Sequence, residues 1–446
     1  MPASVTETMA NGLVETLTKL GLHHTWYSFA PSMLGQNTAL DLAARAVVLY
    51  YLPDRFRTTI SDGEAPSYTA YRAALESLRA TLSTSESSLV TTGLLALYEL
   101  LRKQHAVALH THAAGITAIV DARLREGGIS ASTLFRAAFY DNSLVTFTRP
   151  VFLGEPSPFE HPAWLSLEPA VMGSMQPGVQ RTRKLAQEIL LRLPRVIAMV
   201  RRVRQSTTNA SNSGLSNAIQ VANELLALKD EKAENKILQT LKLVPIPRED
   251  VVDSPPGLAS LFSFASVSSR DAILGYWAAR LMVLKLRLVL CRFQSEMQHD
   301  TPLSVSSSSS SSPGHNPLIS TLEHEQAGLI LCILMCWNTD PNTNGNGGFG
   351  HNNVIIILWS ALADLSNVRG HDAQTIRDWM LRRHNEEMGE WSDADNIHTS
   401  GYDAEQADAD ADVLAGGPLE GSSLLSNLRE LGLIPPRDAP ASAGVG

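Results

Sequence analysis

Apolar residues return every three or four positions through most of the chain, the period of a helix with one face in a core. Tyr71, Leu75, Leu78 and Leu82 predict a helix over 68–82, and Val90, Leu94, Leu97 and Leu101 predict the next. Ser83 and Glu86 stand at capping-box spacing in front of that second helix. Leu109, Ala113, Ile116 and Val120 form the stripe of a third, closed by Gly127-Gly128. The short gap between the second and third predicts an antiparallel pair. Residues 13–52 also read as helical, with an Ala/Leu/Val-rich stretch from Ala39 to Leu52 that Pro53 stops. Further helices are predicted over 134–147, 180–204 (broken or kinked at Pro194), 218–242, 270–293, 322–337, 354–368 and 372–384. No strand alternation and no fixed-period repeat stand out.

The breaks between these stretches carry their own chemistry. Residues 150–180 hold six prolines and read as a covering segment ordered by Phe159 and Trp164. Residues 205–215 are small and polar, as in a loop. The unbroken run Ser306–Ser312 predicts a flexible linker. From Asn385 to Leu428 there is no Lys or Arg while acids accumulate. The expected architecture is all-α, an irregular multi-helix bundle with Pro-rich covering segments. Residues 1–300 form its first part and 317–385 its closing helices. A Ser-rich linker or loop spans 301–316. An acidic disordered tail over 386–446 carries a short helix near 422–433.

Composition narrows the function. The 446 residues carry 36 basic and 45 acidic side chains, a net charge of -9, which excludes a global cationic field for gripping phosphate. Three cysteines, Cys291, Cys332 and Cys336, cannot build a disulfide framework and fit a reducing compartment. The first residues lack a basic segment followed by an apolar core, so no secretory signal is expected. The apolar runs 328–337 and 273–291 read as core helices, the second because it contains Arg280, Lys285 and Arg287. A soluble intracellular protein without a membrane role is expected.

Several stretches resemble the regulatory domain of fungal-specific transcription factors, the helical region that usually follows a zinc binuclear cluster. The carriers are the 39–52 helix, the Tyr71/Leu75/Leu78 helix and GLLALYELL at 93–101. They continue with His112-Ala113-Ala114-Gly115 followed by Arg123 and Arg125, then Leu134-Phe135-Arg136 and the stretch Phe159–Trp164. Gly275-Tyr276-Trp277 with Arg280-Leu281 resembles a second landmark. The resemblance spans roughly residues 30–385. It implies a nuclear regulator of transcription, in such families often of a metabolic gene cluster. One departure is decisive for DNA reading: no cysteine precedes Cys291 and no CxxC occurs, so the family's six-cysteine zinc module cannot form.

The remaining candidates divide between chemistry and plain packing. Cys332 and Cys336 share a helical face with His324 two turns back, but their surroundings are apolar and the core reading prevails. His105, His110 and His112 lack a metal-ligand pattern, and His112 is expected to hydrogen-bond within a helical pair that Gly115 brings close. The glycine loop at 344–353 lacks the strand and the Lys-Ser/Thr of a nucleotide loop. No GxSxG occurs. Arg181, Arg183, Lys184, Arg201, Arg202 and Arg204 belong to the one basic stripe, a candidate nucleic-acid or partner surface unless it is simply a solvated helix face. In the tail, Trp391 and Tyr402 sit among acids, the composition of activation segments that present apolar groups to a partner groove.

These readings add up to a regulator or co-regulator without catalytic, metal or cofactor residues. Its expected partners are the transcription machinery or a DNA-binding co-regulator, with homo- or heterodimers compatible and direct DNA binding doubtful. A helical interaction scaffold and an enzyme with a site between helices are the alternatives.

Overall fold

The protein, examined as a computed structural model, is described at residues 5–20, 22–52, 66–102, 106–127, 132–141, 150–151, 156–168, 176–205, 211–246, 258–299, 317–336, 375–376, 378–379 and 382. The chain is all-α there apart from one small hairpin. The serine run, the 354–368 stretch and the acidic tail with Trp391 and Tyr402 lie outside the described residues.

The first half builds one core. Helix α1 (Val5–Lys19) leads through two 3₁₀ turns, Leu22–His24 and Trp26–Met33, into α2 (Thr38–Tyr51). Asn37 starts α2, its Oδ1 accepting from the N–H groups of Ala39 and Leu40 at 2.9 and 3.2 Å. Then come α3 (Pro66–Thr81), α4 (Glu86–Arg102), α5 (Ala106–Arg125) and α6 (Thr133–Asp141). Helix α2 packs on α3 and α4, and α4 on α5, its expected neighbour. Gly127 ends α5 in the left-handed region at φ 75°, where a Cβ would be strained. A 3₁₀ turn at Pro158–Glu160 and α7 (Pro162–Leu165) insert Phe159 and Trp164 fully into this core against Phe139.

The second half builds another. Helix α8 (Pro177–Gln205) packs with α9 (Ser211–Leu226), α10 (Glu231–Leu238) and α11 (Val267–His299), and α12 (Pro317–Met335) lies on α11. Ile376 and Trp379 return the chain to this core. The two cores exchange one residue each: Leu191 of α8 sits in the first, Val151 in the second. Among the described residues α12 alone is long and apolar enough to cross a membrane by length and composition, and Leu322, Ile330, Ile333 and Leu334 are buried.

Three local expectations change. Helix α8 continues through Pro194 without a break. Leu193, Val196 and Ile197 around the proline are fully buried, so packing holds the turn that lost its hydrogen bond. The single helix expected over 218–242 is two, because Asp230 caps α10 by accepting from Ala233 N–H at 3.0 Å. After it, β1 (Lys242–Pro245) pairs antiparallel with β2 (Ser260–Ser263), Leu243 opposite Phe262 and Val244 opposite Leu261. Short apolar runs between prolines carry little periodicity, which hid this hairpin.

Candidate functional site

The residues behind the family resemblance converge at two places. The first is a buried polar node where α3, α4 and α5 meet. Tyr71 on α3 and His112 on α5 are buried, with Tyr71 Oη 3.1 Å from His112 Nε2. Glu99 of α4, a carboxylate only 1% exposed, lies close enough to raise the phenol's pKa. Tyr71 Oη and His112 Nε2 share one hydrogen, and the imidazole tautomer decides which of them donates. Burial lowers the His112 pKa from 6.5 to about 4, so the ring is neutral. Burial, then Glu99, pushes the Tyr71 phenol well above its ordinary range.

Aromatic rings close the node. Tyr71 stacks on Tyr98 at 4.8 Å and lies 6.1 Å from Tyr68. The Arg102 guanidinium lies over Tyr68 and Tyr98, 4.9 and 5.5 Å from their centroids. Two glycines make the approach possible. A Cβ on Gly93 would lie 2.2 Å from the buried Trp26 ring, and one on Gly115 would lie 3.3 Å from Thr92 of α4. The sequence-based expectation is met for Gly115, which faces α4, and changed for His112, which bonds outside the α4–α5 pair, to Tyr71 of α3. Glu99 and Tyr98 were missed as polar members. Their position in GLLALYELL, four to six residues from Gly93–Leu94 in a buried stretch, is the available signal.

The second place is on α11. Tyr276 Oη donates to Leu228 O at 3.2 Å, Trp277 Nε1 donates to Glu234 at 2.8 Å, and Arg280 reaches Leu226 O at 2.9 Å and Glu325 at 2.7 Å. These three residues therefore tie α11 to the end of α9 and the turn after it, to α10 and to α12. Burial raises the Tyr276 pKa against the pull of Arg280.

The basic stripe of α8 is engaged inside the molecule. Arg181 pairs with Asp230 at 3.2 Å, Lys184 with Glu168, and Arg192 with Glu188 at 3.2 Å. Arg195 Nε comes within 3.0 Å of Glu160 without the alignment of a hydrogen bond. Arg201 is buried and donates to Val151 O at 2.5 Å, which removes it from any partner surface. Arg202 is exposed and turns back to Ala198 O at 3.3 Å. Arg204 is exposed and Arg183 half-buried. Glu160 and Glu168 come from the Pro-rich segment, so acids distant in sequence balance a stripe that has only Glu188 within it.

Cys336 is buried, its thiol donating to Cys332 O at 3.2 Å, and burial raises the pKa of both thiols. Cys291 is buried beside Arg287, whose guanidinium also holds Asn223 at 2.9 Å. Among the described residues no group of three His, Cys, Asp or Glu is placed to hold a metal ion. His105, Trp391 and Tyr402 lie outside the described residues. No family model, curated protein or solved structure matches this chain.

Proposed function

We propose that this chain is a transcription regulator or co-regulator that acts in the nucleus through protein partners, without a DNA-reading module of its own. The observation that carries the reading is the convergence of Tyr71, Gly93, His112 and Gly115 on one node, and of Tyr276, Trp277 and Arg280 on one clamp. The residues through which the sequence resembles the regulatory domain are those that hold the helices together.

The chemistry of the node supports a structural rather than catalytic role. Glu99, Tyr71 and His112 are acid-base residue types, but all three are buried, and Tyr71 and His112 are bonded to each other. The basic stripe favours indirect DNA action, since Arg181, Lys184, Arg192 and Arg195 are paired with Asp230, Glu168, Glu188 and Glu160 and Arg201 is buried. A net charge of -9 makes unaided phosphate binding weak and salt-sensitive.

Selection of the purified full-length protein on a random duplex pool near physiological salt tests this. No sequence should be enriched, while the same protein bound to its partner in nuclear extract should occupy defined loci. Tight, sequence-selective binding by the protein alone would overturn the partner-dependent reading.

A further inference from the structure

Ser83 and Glu86 have the spacing of a capping box, yet the structure gives the cap to another residue. Ser85 Oγ accepts from Ser88 N–H at 3.2 Å. Glu86 accepts instead from the Ser132 hydroxyl at 2.5 Å, fastening the start of α4 to α6. Ser83 and Glu86 are therefore left without the capping roles that their spacing implies. Ser83 lies in the four-residue connector between α3 and α4, and Thr81, Leu82, Ser83 and Glu86 are all exposed, Leu82 at 63%.

We propose that Ser83 is a phosphorylation site for a protein kinase that selects a carboxylate three residues after its acceptor. Glu86 supplies that carboxylate. Fraying one residue at each flanking helix end lays Thr81–Glu86 out as an extended substrate, and helix ends fray at little cost. In the reaction Ser83 Oγ attacks the γ-phosphorus of ATP. The Oγ–P bond forms, the bond to the β,γ-bridging oxygen breaks, ADP leaves and the hydroxyl proton passes to the kinase base.

The modification acts on a defined junction. Ser83 Oγ lies 2.9 Å from Ser85 Oγ and 3.1 Å from Ser88 Oγ, and Thr84 donates to both oxygens of Glu126 at 3.1 and 2.9 Å. A phosphate brings close to two negative charges beside Glu86 and Glu126, the acids that tie α4 to α6 and α5. Arg123, 3.4 Å from Glu126, offsets part of the repulsion. The balance loosens the junction at the edge of the first core.

The test uses the full-length protein, casein kinase 2 and Mg-ATP, with mass spectrometry of the tryptic peptide Ala80–Arg102. Phosphate is expected on Ser83, reduced at least tenfold in Ser83→Ala and in Glu86→Gln, which keeps the acceptor hydroxyl. Unmodified wild-type peptide would overturn the proposal, as would phosphate that persists in Ser83→Ala on a neighbouring hydroxyl. Wild-type protein alone decides the first outcome, whatever the folding of the variants.

Discussion

Tyr71 Oη and His112 Nε2 stand 3.1 Å apart although 41 positions separate them in the chain. The bond joins a neutral imidazole to a phenol whose pKa the buried Glu99 carboxylate helps to raise. It makes the first core sensitive to acid. His112 binds its proton near pH 6.5 when unfolded and near 4 when folded. Between those values the unfolded chain carries the extra proton, so stability falls as pH falls through that window. The expected loss from this group is on the order of 3 kcal/mol by pH 4. Urea unfolding at pH 7, 5.5 and 4.5 checks it. The wild-type advantage over His112→Gln should shrink with acidification, whereas parallel curves would assign the acid sensitivity elsewhere.

Gly93 and Gly275 both belong to stretches that carry the resemblance, and they should respond oppositely to alanine. At Gly93 the new methyl meets the Trp26 ring, and at Gly275 it meets nothing within 4 Å. Gly93→Ala should cost about 3 kcal/mol through overpacking. Gly275→Ala should gain about 0.5–1 kcal/mol from helix propensity. Thermal melting of the two variants side by side measures both signs.

Members of the basic stripe should separate by burial. Arg201→Met removes a donor from Val151 O at the join of the two cores and should cost about 2–4 kcal/mol. Arg202→Met, on the exposed side of the same helix, should stay within about 0.5 kcal/mol. Equal effects in chemical denaturation would mean that both arginines act as surface charges.

The clamp on α11 makes a further claim. Trp277→Phe keeps an aromatic ring but removes part of the buried indole together with its Nε1 donor to Glu234. It should cost about 2–3 kcal/mol, from the hydrogen bond to a charged acceptor and the lost packing. A Trp277→Phe, Glu234→Gln double-mutant cycle reads the coupling, and a coupling near zero would show that the contact is incidental.

The sequence was readable where one period ran long enough to count. Helix α4 shows this, with Val90, Leu94 and Leu97 buried as their spacing implies. Capping was readable in kind but not in position: Ser85, two residues beyond Ser83, takes the role because the whole stretch is rich in serine. The hairpin escaped notice because four-residue strands carry too few alternations, and Leu243 and Val244 are both exposed. The ionic balance of α8 could not be read at all. Glu160, Glu168 and Asp230 are brought to it by tertiary packing, and charge counted along one helix is blind to acids delivered from another segment.

The central claim is that the chain changes transcription through partners. Fusing the full-length protein to an unrelated DNA-binding domain and reading a reporter beneath its site tests that claim most directly. Reporter output should rise above that of the DNA-binding domain alone, and fall when Trp391 and Tyr402 become alanine. A folded, nuclear fusion that leaves the reporter unchanged would contradict the account.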